Sequence, residues 1–278
     1  MAVCCFSLNL FRYNSCLMEI VGYFGAIIIG VVLGLIGGGG SILTVPIFVY
    51  ILGVNPVLAT AYSLFVVGAS ALVGTIRNAQ NQLVDFKTGL IFACPAFIGV
   101  YISRRFFLPA IPDELFSIQG VIVDKDMSIM IFFALIMFAA AFFMIKGRNE
   151  SDVSEVVSYN YPVLILEGLT VGFLTGIVGA GGGFLIIPAL VLFAGLKMKK
   201  AVATSLMIIA IKSLLGFIGD IQNFDIEWNF LLSFTAFSIL GIFMGIYFSQ
   251  FIEGHKLKKG FGWFVLVMSI YILVKEII

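Results

Sequence analysis

Lys212 stands in the middle of an apolar run, AVATSLMIIAIKSLLGFIG (201–219). A cation at that depth in a hydrocarbon-like environment costs at least ~2.5 kcal/mol, so it has to face a cavity or a partner. A buried ammonium can attract a small anion or serve as a proton-linked switch. The structural alternative is a lysine paired with Asp220 or with a backbone carbonyl. Thr204 and Ser205 lie two turns earlier, on about the same helical face by the i, i+4, i+8 spacing. With Ser63 they are candidate hydroxyl ligands, against the alternative that they bond back to carbonyls of their own helix.

Two glycine clusters supply a second kind of chemistry: GLIGGGGSILTVP (34–46) and GIVGAGGGFLIIP (176–188). Each interior glycine costs a helix about 1 kcal/mol relative to alanine, so such clusters unwind it. Pro46 and Pro188 suit the first position of a helix. The spacing therefore predicts unwound backbone over 37–45 and 179–187, then short helices starting at the prolines, with Thr44 helping to cap the first. Free N–H groups beside a helix N-terminus favour an anion, and unwound backbone at membrane depth belongs where it lines a cavity. The candidate substrate ligands are Gly37, Gly38, Gly39, Gly40 and Ser41 in one cluster and Gly179, Gly181, Gly182 and Gly183 in the other. Gly30/Gly34 and Gly241/Gly245 have instead the small-xxx-small spacing of close helix packing.

The polar turns RNAQN (77–81) and GDIQN (219–223) place Gln80, Asn81, Gln222 and Asn223 as uncharged donors at an outer mouth, or as ordinary solvated turns. Arg77 is a fixed cation there, for a vestibule site or for anchoring at headgroups. Glu167 is a second intramembrane charge, near a span end, suited to snorkelling or to carrying a proton.

These residues need elements to hold them. Of the 278 residues, 61% are hydrophobic and 11% charged, and the formal net charge is +1. Soluble domains carry roughly 25% charged residues, so this chain is built for lipid. No basic field exists for nucleic acid, and one histidine with scattered cysteines excludes a zinc site. No GxxxxGK[ST] or βαβ dinucleotide motif occurs, and no cofactor is expected. Crossing a core about 30 Å thick takes roughly 20 apolar residues of helix. Runs of this kind occur at 19–36, 57–77, 88–103, 127–146, 161–178, 201–219, 228–252 and 260–278; the pieces 46–53 and 188–195 are too short to cross alone. The predicted class is an all-α integral membrane protein with about eight transmembrane helices and two half-helices.

The chain also repeats itself. At a shift of 142 residues Gly30, Gly34, Gly37, Gly39, Gly40, Leu43 and Pro46 fall on Gly172, Gly176, Gly179, Gly181, Gly182, Leu185 and Pro188. The register continues through Gly53/Gly195, Ser63/Ser205, Gly74/Gly216, Gln80/Gln222 and Gly99/Gly241. It divides the chain into an N-terminal extension (1–18), a first transmembrane repeat (19–147), a linker (148–160) and a second repeat (161–278). Met18 is an alternative start, and no signal-peptide cleavage pattern precedes it. Lysine clusters at 197–200 and 256–259, with Arg104 and Arg105, are assigned to the cytoplasm. The acidic turn 220–227, the segments 78–87 and 147–160 and both termini are then outside. Four crossings per half predict two parallel repeats.

The paired G-x-x-G-x-G-G-G-x-x-x-x-P pattern, A-x-A-T-S-L at 201–206 and K-S-L-x-G at 212–216 resemble the TauE/SafE (sulfite exporter, TSUP) family of membrane permeases. The first half departs from the pattern: Ser41 replaces the last glycine, Gly38 stands opposite Ala180, and Tyr62-Ser63 opposite Thr204-Ser205. The resemblance implies a secondary transporter in the cell membrane that exports small sulfur-containing anions such as sulfite or organosulfonates, with a proton as a candidate coupling ion. The competing classes are a passive anion channel, which shares the same features, and a membrane enzyme, for which no catalytic set is visible.

Overall fold

The computed structural model describes residues 21–38, 40–112, 114–118, 121–146, 161–178, 183–192, 194–221 and 224–277. The helices follow in order. Helix α1 covers Val21–Ile36, and α2 Gly40–Pro46 continues as a π-helical turn, Ile47–Ile51. Next come α3 Pro56–Gln80 and α4 Phe86–Ile102, the latter followed by a π-helical turn Ser103–Phe107 and the short α5 Leu108–Ala110. An antiparallel hairpin, β1 Glu114–Ile118 with β2 Val121–Asp124, leads into α6 Lys125–Lys146. The second half holds α7 Tyr161–Val178, α8 Gly183–Leu192, α9 Met198–Asp220, α10 Trp228–Ser249 and α11 Gly254–Ile277. The architecture is helical as expected; the hairpin and the helical extension to Ala110 occupy what reads in sequence as a long loop over 104–126.

Local chemistry fixes the helix starts. The Asn55 side chain accepts from the N–H groups of Val57 and Leu58, and Pro56 fills the first position of α3. Asp85 caps α4 through the N–H of Thr88. Among the described residues α3, Phe86–Ala110, α9 and α10 are long and apolar enough to cross a membrane. Phe24, Ile76, Leu90, Ile98, Leu166, Leu240 and Val267 lie exposed on the outer surface. An apolar exterior of this extent needs lipid rather than water against it. The innermost helix is α9, packed on α3, α4 and α8.

Contact positions give the helix directions. A Cβ on Gly40 would meet Ile29 and Leu33, one on Gly25 would meet Ile47, and one on Gly22 would meet Leu52, so α2 and its π-turn run back antiparallel along α1. Gly30 lies against Ser238 and Gly241, and Gly34 against Ile242 and Gly245, so α1 and α10 are parallel. The pair α4/α7 repeats this geometry: Gly99 faces Gly172 and Gly176 faces Val100 and Ser103. In contrast α3 and α9 are antiparallel, with Gly68 against Leu214 and Gly74 against Leu206.

Positions 142 residues apart therefore sit on helices of opposite direction, and the expected parallel relation of the halves does not hold. The physical reason is the glycine break. The half-helix after it, too short to cross alone, returns along its parent, so α1 and α3 run the same way and each half has an odd number of passes. The passes of the first half are α1, α2, α3, α4 and α6. Two faces result. The proximal face carries the start of α1, the start of α3, the end of α9, the start of α10 and the end of α11; the distal face carries the 81–85 turn, the end of α6 and the starts of α7, α9 and α11. Two hydrogen bonds pin this layout. The N–H of Asp85 donates to Thr204 Oγ1 near the start of α9, and the N–H of Glu227 donates to the Tyr62 hydroxyl near the start of α3. The two repeated turns thus lie on opposite faces, not together at one mouth.

Candidate functional site

The breaks are shorter than their sequences predict. Helix α2 begins at Gly40 and contains Pro46, and α8 begins at Gly183 and contains Pro188. Pro46, which lacks an N–H, ends α2 and is followed directly by the π-helical turn Ile47–Ile51. Thr44 does not cap the helix; its Oγ1 donates to Gly40 O at 2.8 Å, a bond back along the helix. Gly37 bends with φ +77°, and its N–H donates to Leu33 O.

Here the two halves meet. A Cβ on Gly38 would lie 2.2 Å from the Gly183 carbonyl carbon, and one on Gly183 would lie 2.2 Å from Gly38 Cα and 2.5 Å from Ile209 Cδ1. Only glycine permits that crossing, because any side chain would occupy the partner's backbone. Gly37 packs on α9, where a Cβ would lie 2.7 Å from Ser205 Oγ. Gly40 turns toward α1 instead. Ser41 lies in the first turn of α2. Gly39, Gly179, Gly181, Gly182, Gln222 and Asn223 lie outside the described residues.

Lys212 is 1% exposed and sits one turn beyond Ile209 on α9. Its ammonium donates to Thr175 Oγ1 at 2.7 Å, and Thr175 donates onward to Gly172 O. Asp220 does not pair with it. Among the described residues Lys212 has no carboxylate partner; it is a buried cation held by a hydroxyl one helical turn before the second glycine cluster. Of the other hydroxyls, Ser205 donates to Val202 O at 2.8 Å. Thr204 turns toward α4, where it accepts from Asp85. Ser63 Oγ and Ser213 Oγ are buried with no hydrogen-bond partner. Ser70, the repeat mate of Lys212, donates to Ser238.

Gln80 and Asn81 stay apart from this cluster, exposed on the distal face. Gln80 accepts from Arg77 at 3.2 Å, and both line a cleft of about 470 Å³ with Tyr247 and Gln250. Glu167 is half-buried in the second turn of α7, with one carboxylate oxygen lacking a partner.

The profile of the family described as "Sulfite exporter TauE/SafE" matches residues 23–272. The chain belongs to this family. Among its relatives is a "Probable membrane transporter protein" of Xylella fastidiosa, 28% identical, over 88% of this chain and 91% of the relative. A second is the "Probable membrane transporter protein YunE" of Bacillus subtilis, 31% identical over 74% of this chain and 80% of the relative. No solved structure matches the chain. This TauE/SafE member is thus a multi-pass membrane protein of a transporter family.

One buried pair is not visible in the spacing of the sequence. Arg104, 5% exposed, donates from Nε to Gly176 O at 3.0 Å and pairs through Nη1 with the Asp220 carboxylate. Its Nη2 has no partner, nor does the adjacent buried Ser103 Oγ. In sequence Arg104 ends a span and is assigned with Arg105 to the cytoplasmic side; in the structure it lies in a π-turn, buried, while Arg105 stays exposed. The usable signal was Asp220, an acid directly at the end of an apolar run.

Proposed function

We propose that this TauE/SafE member is a secondary transporter of small sulfur-containing oxyanions, bound where the two glycine breaks cross beside Lys212. The observation that carries this reading is the burial of the Lys212 ammonium, without a carboxylate, next to a glycine-only crossing of the two halves. A buried cation with no carboxylate partner among the described residues favours an anion arriving from outside. Helix directions opposed between repeat mates support an inverted-repeat carrier, in which one half rocks against the other around a fixed central site. Sulfite as the type of cargo, and export as its direction, rest on membership of the sulfite exporter family.

The orientation follows from the faces. Arg77, Lys87, Lys146, Lys197, Lys199, Lys200, Lys256, Lys258 and Lys259 belong to the distal face, and Arg105, Lys125 and Lys275 to the proximal one. The distal face is therefore cytoplasmic in a cell membrane, and the start of α1 and the end of α11 are outside. Relative to the sequence expectation, the 78–87 turn and the end of α6 at Lys146 move inside, and Arg105 moves outside.

The test is transport by the purified protein in vesicles. Vesicles preloaded with labelled sulfite under nitrogen should lose it against a concentration gradient when a proton gradient is applied. Lys212→Met should reduce that flux at least ~100-fold while the protein still inserts and purifies normally. Normal flux in Lys212→Met removes the lysine from the site; flux only down a gradient converts the carrier into a channel.

A further inference from the structure

We propose that Arg104 is a second anion-binding residue, lying between Lys212 and the proximal face, and that Asp220 is the built-in anion that occupies it when no substrate is present. The inference rests on the transport reading and extends it. Thr175 and Gly176 are consecutive residues of α7; Lys212 hydrogen-bonds the first through its hydroxyl, and Arg104 bonds the second through its carbonyl. Two buried cations thus touch neighbouring residues of one helix, immediately before its glycine break. Lys212, Gly216 and Asp220 follow at i, i+4 and i+8 on one stripe of α9. The cationic track therefore runs from the crossing of the halves toward the proximal end of α9.

The track is incomplete as a hydrogen-bond network. Arg104 Nη2 and the adjacent Ser103 Oγ, which lies against Gly176, are buried donors without partners along it. Buried donors are almost always satisfied, so a cluster of orphans marks a place where something else binds. A guanidinium presents a planar fork that takes two oxygens of an oxyanion at once, and here only one arm of the fork is used by Asp220. Small oxyanions offer the same two-oxygen edge as the carboxylate and bring further acceptors for the Ser103 hydroxyl. The arrangement joins the two halves and is not repeated at the symmetry-related positions. The repeat mates of Lys212, Thr175, Arg104 and Asp220 are Ser70, Leu33, Ile246 and Asn78, none of them charged. Asn78 simply donates to Gly74 O within its own helix. A structural requirement of the repeat would be met at both symmetry-related positions; this ion pair between the halves is met at one, on the path toward the proximal face.

The experiment titrates the full-length protein in detergent with sodium sulfite under nitrogen, sodium sulfate and sodium sulfoacetate, read by thermal shift. Asp220→Asn removes the competing carboxylate. It is expected to lower the melting temperature without anion and to bind the responding anion about tenfold more tightly, because the competent state is no longer self-occupied. Arg104→Gln should weaken binding about tenfold or more. The double variant should match Arg104→Gln, since without the guanidinium a competitor has nothing to compete for. If Arg104→Gln fails to assemble, Arg104→Lys keeps the charge without the fork and should show a partial loss. Asp220→Asn decides the sign by itself: unchanged or weaker anion binding overturns the subsite. Lys212→Met, run in parallel, separates the two readings. A wild-type chain whose anion response is lost in Lys212→Met but unchanged in Asp220→Asn overturns the subsite and leaves the transport site standing. A wild-type chain that responds to none of the three anions overturns both.

Discussion

Scarcity of charge makes single residues informative in this chain. Lys212 is conspicuous because the one acid near it in sequence is Asp220, and the fold gives it a hydroxyl rather than that acid. The hydroxyl yields a sharp prediction. Thr175→Val deletes the acceptor for the ammonium while keeping the shape of the side chain, and should slow initial transport rates in vesicles at least ~10-fold. Thr175→Ser retains the oxygen and should stay within about twofold of the parent. Equal loss in both would mean that packing, not the hydrogen bond, matters there. Arg104 shows where reading by residue type stops. An arginine at the end of an apolar run is usually a headgroup anchor, and its partner Asp220 lies 116 positions away. Nothing in local spacing couples them; only the packing of α4, α7 and α9 does.

Among the elements, the helix breaks and the close-packing glycines are legible because glycine and proline act locally. Gly30, Gly34, Gly241 and Gly245 do form one interface. What local rules miss is how a helix tolerates Pro46. The helix starts at Gly40 rather than after the proline, and a π-turn follows Pro46 directly. Two glycines then predict opposite outcomes. Gly38→Ala places a methyl 2.2 Å from backbone of the opposing half, with no flexible side chain to yield. It should abolish transport and sharply lower the yield of folded protein, measured by size-exclusion profile and vesicle flux. Gly53 has φ +67° but nothing within 4 Å of its Cβ position, and Gly195, its repeat mate, matches it at +65°. Gly53→Ala therefore costs only left-handed strain, about 1–2 kcal/mol. The variant should fold and transport with a melting temperature lower by a few degrees, and Gly53→Asn should recover part of that loss.

At the scale of the whole molecule, the 142-residue repeat is plain in sequence, but its symmetry is not. Parity depends on whether each short apolar piece counts as a pass, and hydropathy windows discard pieces of that length. Counting α2 and α8 as returns reverses α3, α4, α6 and α7, sets each second-half helix against its repeat mate, and moves the 78–87 turn to the other face. The prediction concerns sidedness. In a background with Cys4, Cys5, Cys16 and Cys94 replaced by serine, single cysteines are placed at Asn81 and at Asp225, in the two repeated turns. A membrane-impermeant thiol reagent applied to intact cells should label Asp225→Cys and leave Asn81→Cys untouched until the membrane is opened. Labelling of both from outside would restore the parallel arrangement and place the 78–87 turn beside the termini. Labelling of Asn81→Cys alone would keep the opposed helices but invert the protein, putting its lysine-rich face outside against the charge rule. Only the first pattern lets Asp220 and Arg104 guard the exit toward the outside, as an exporter with its second anion station on the proximal side requires.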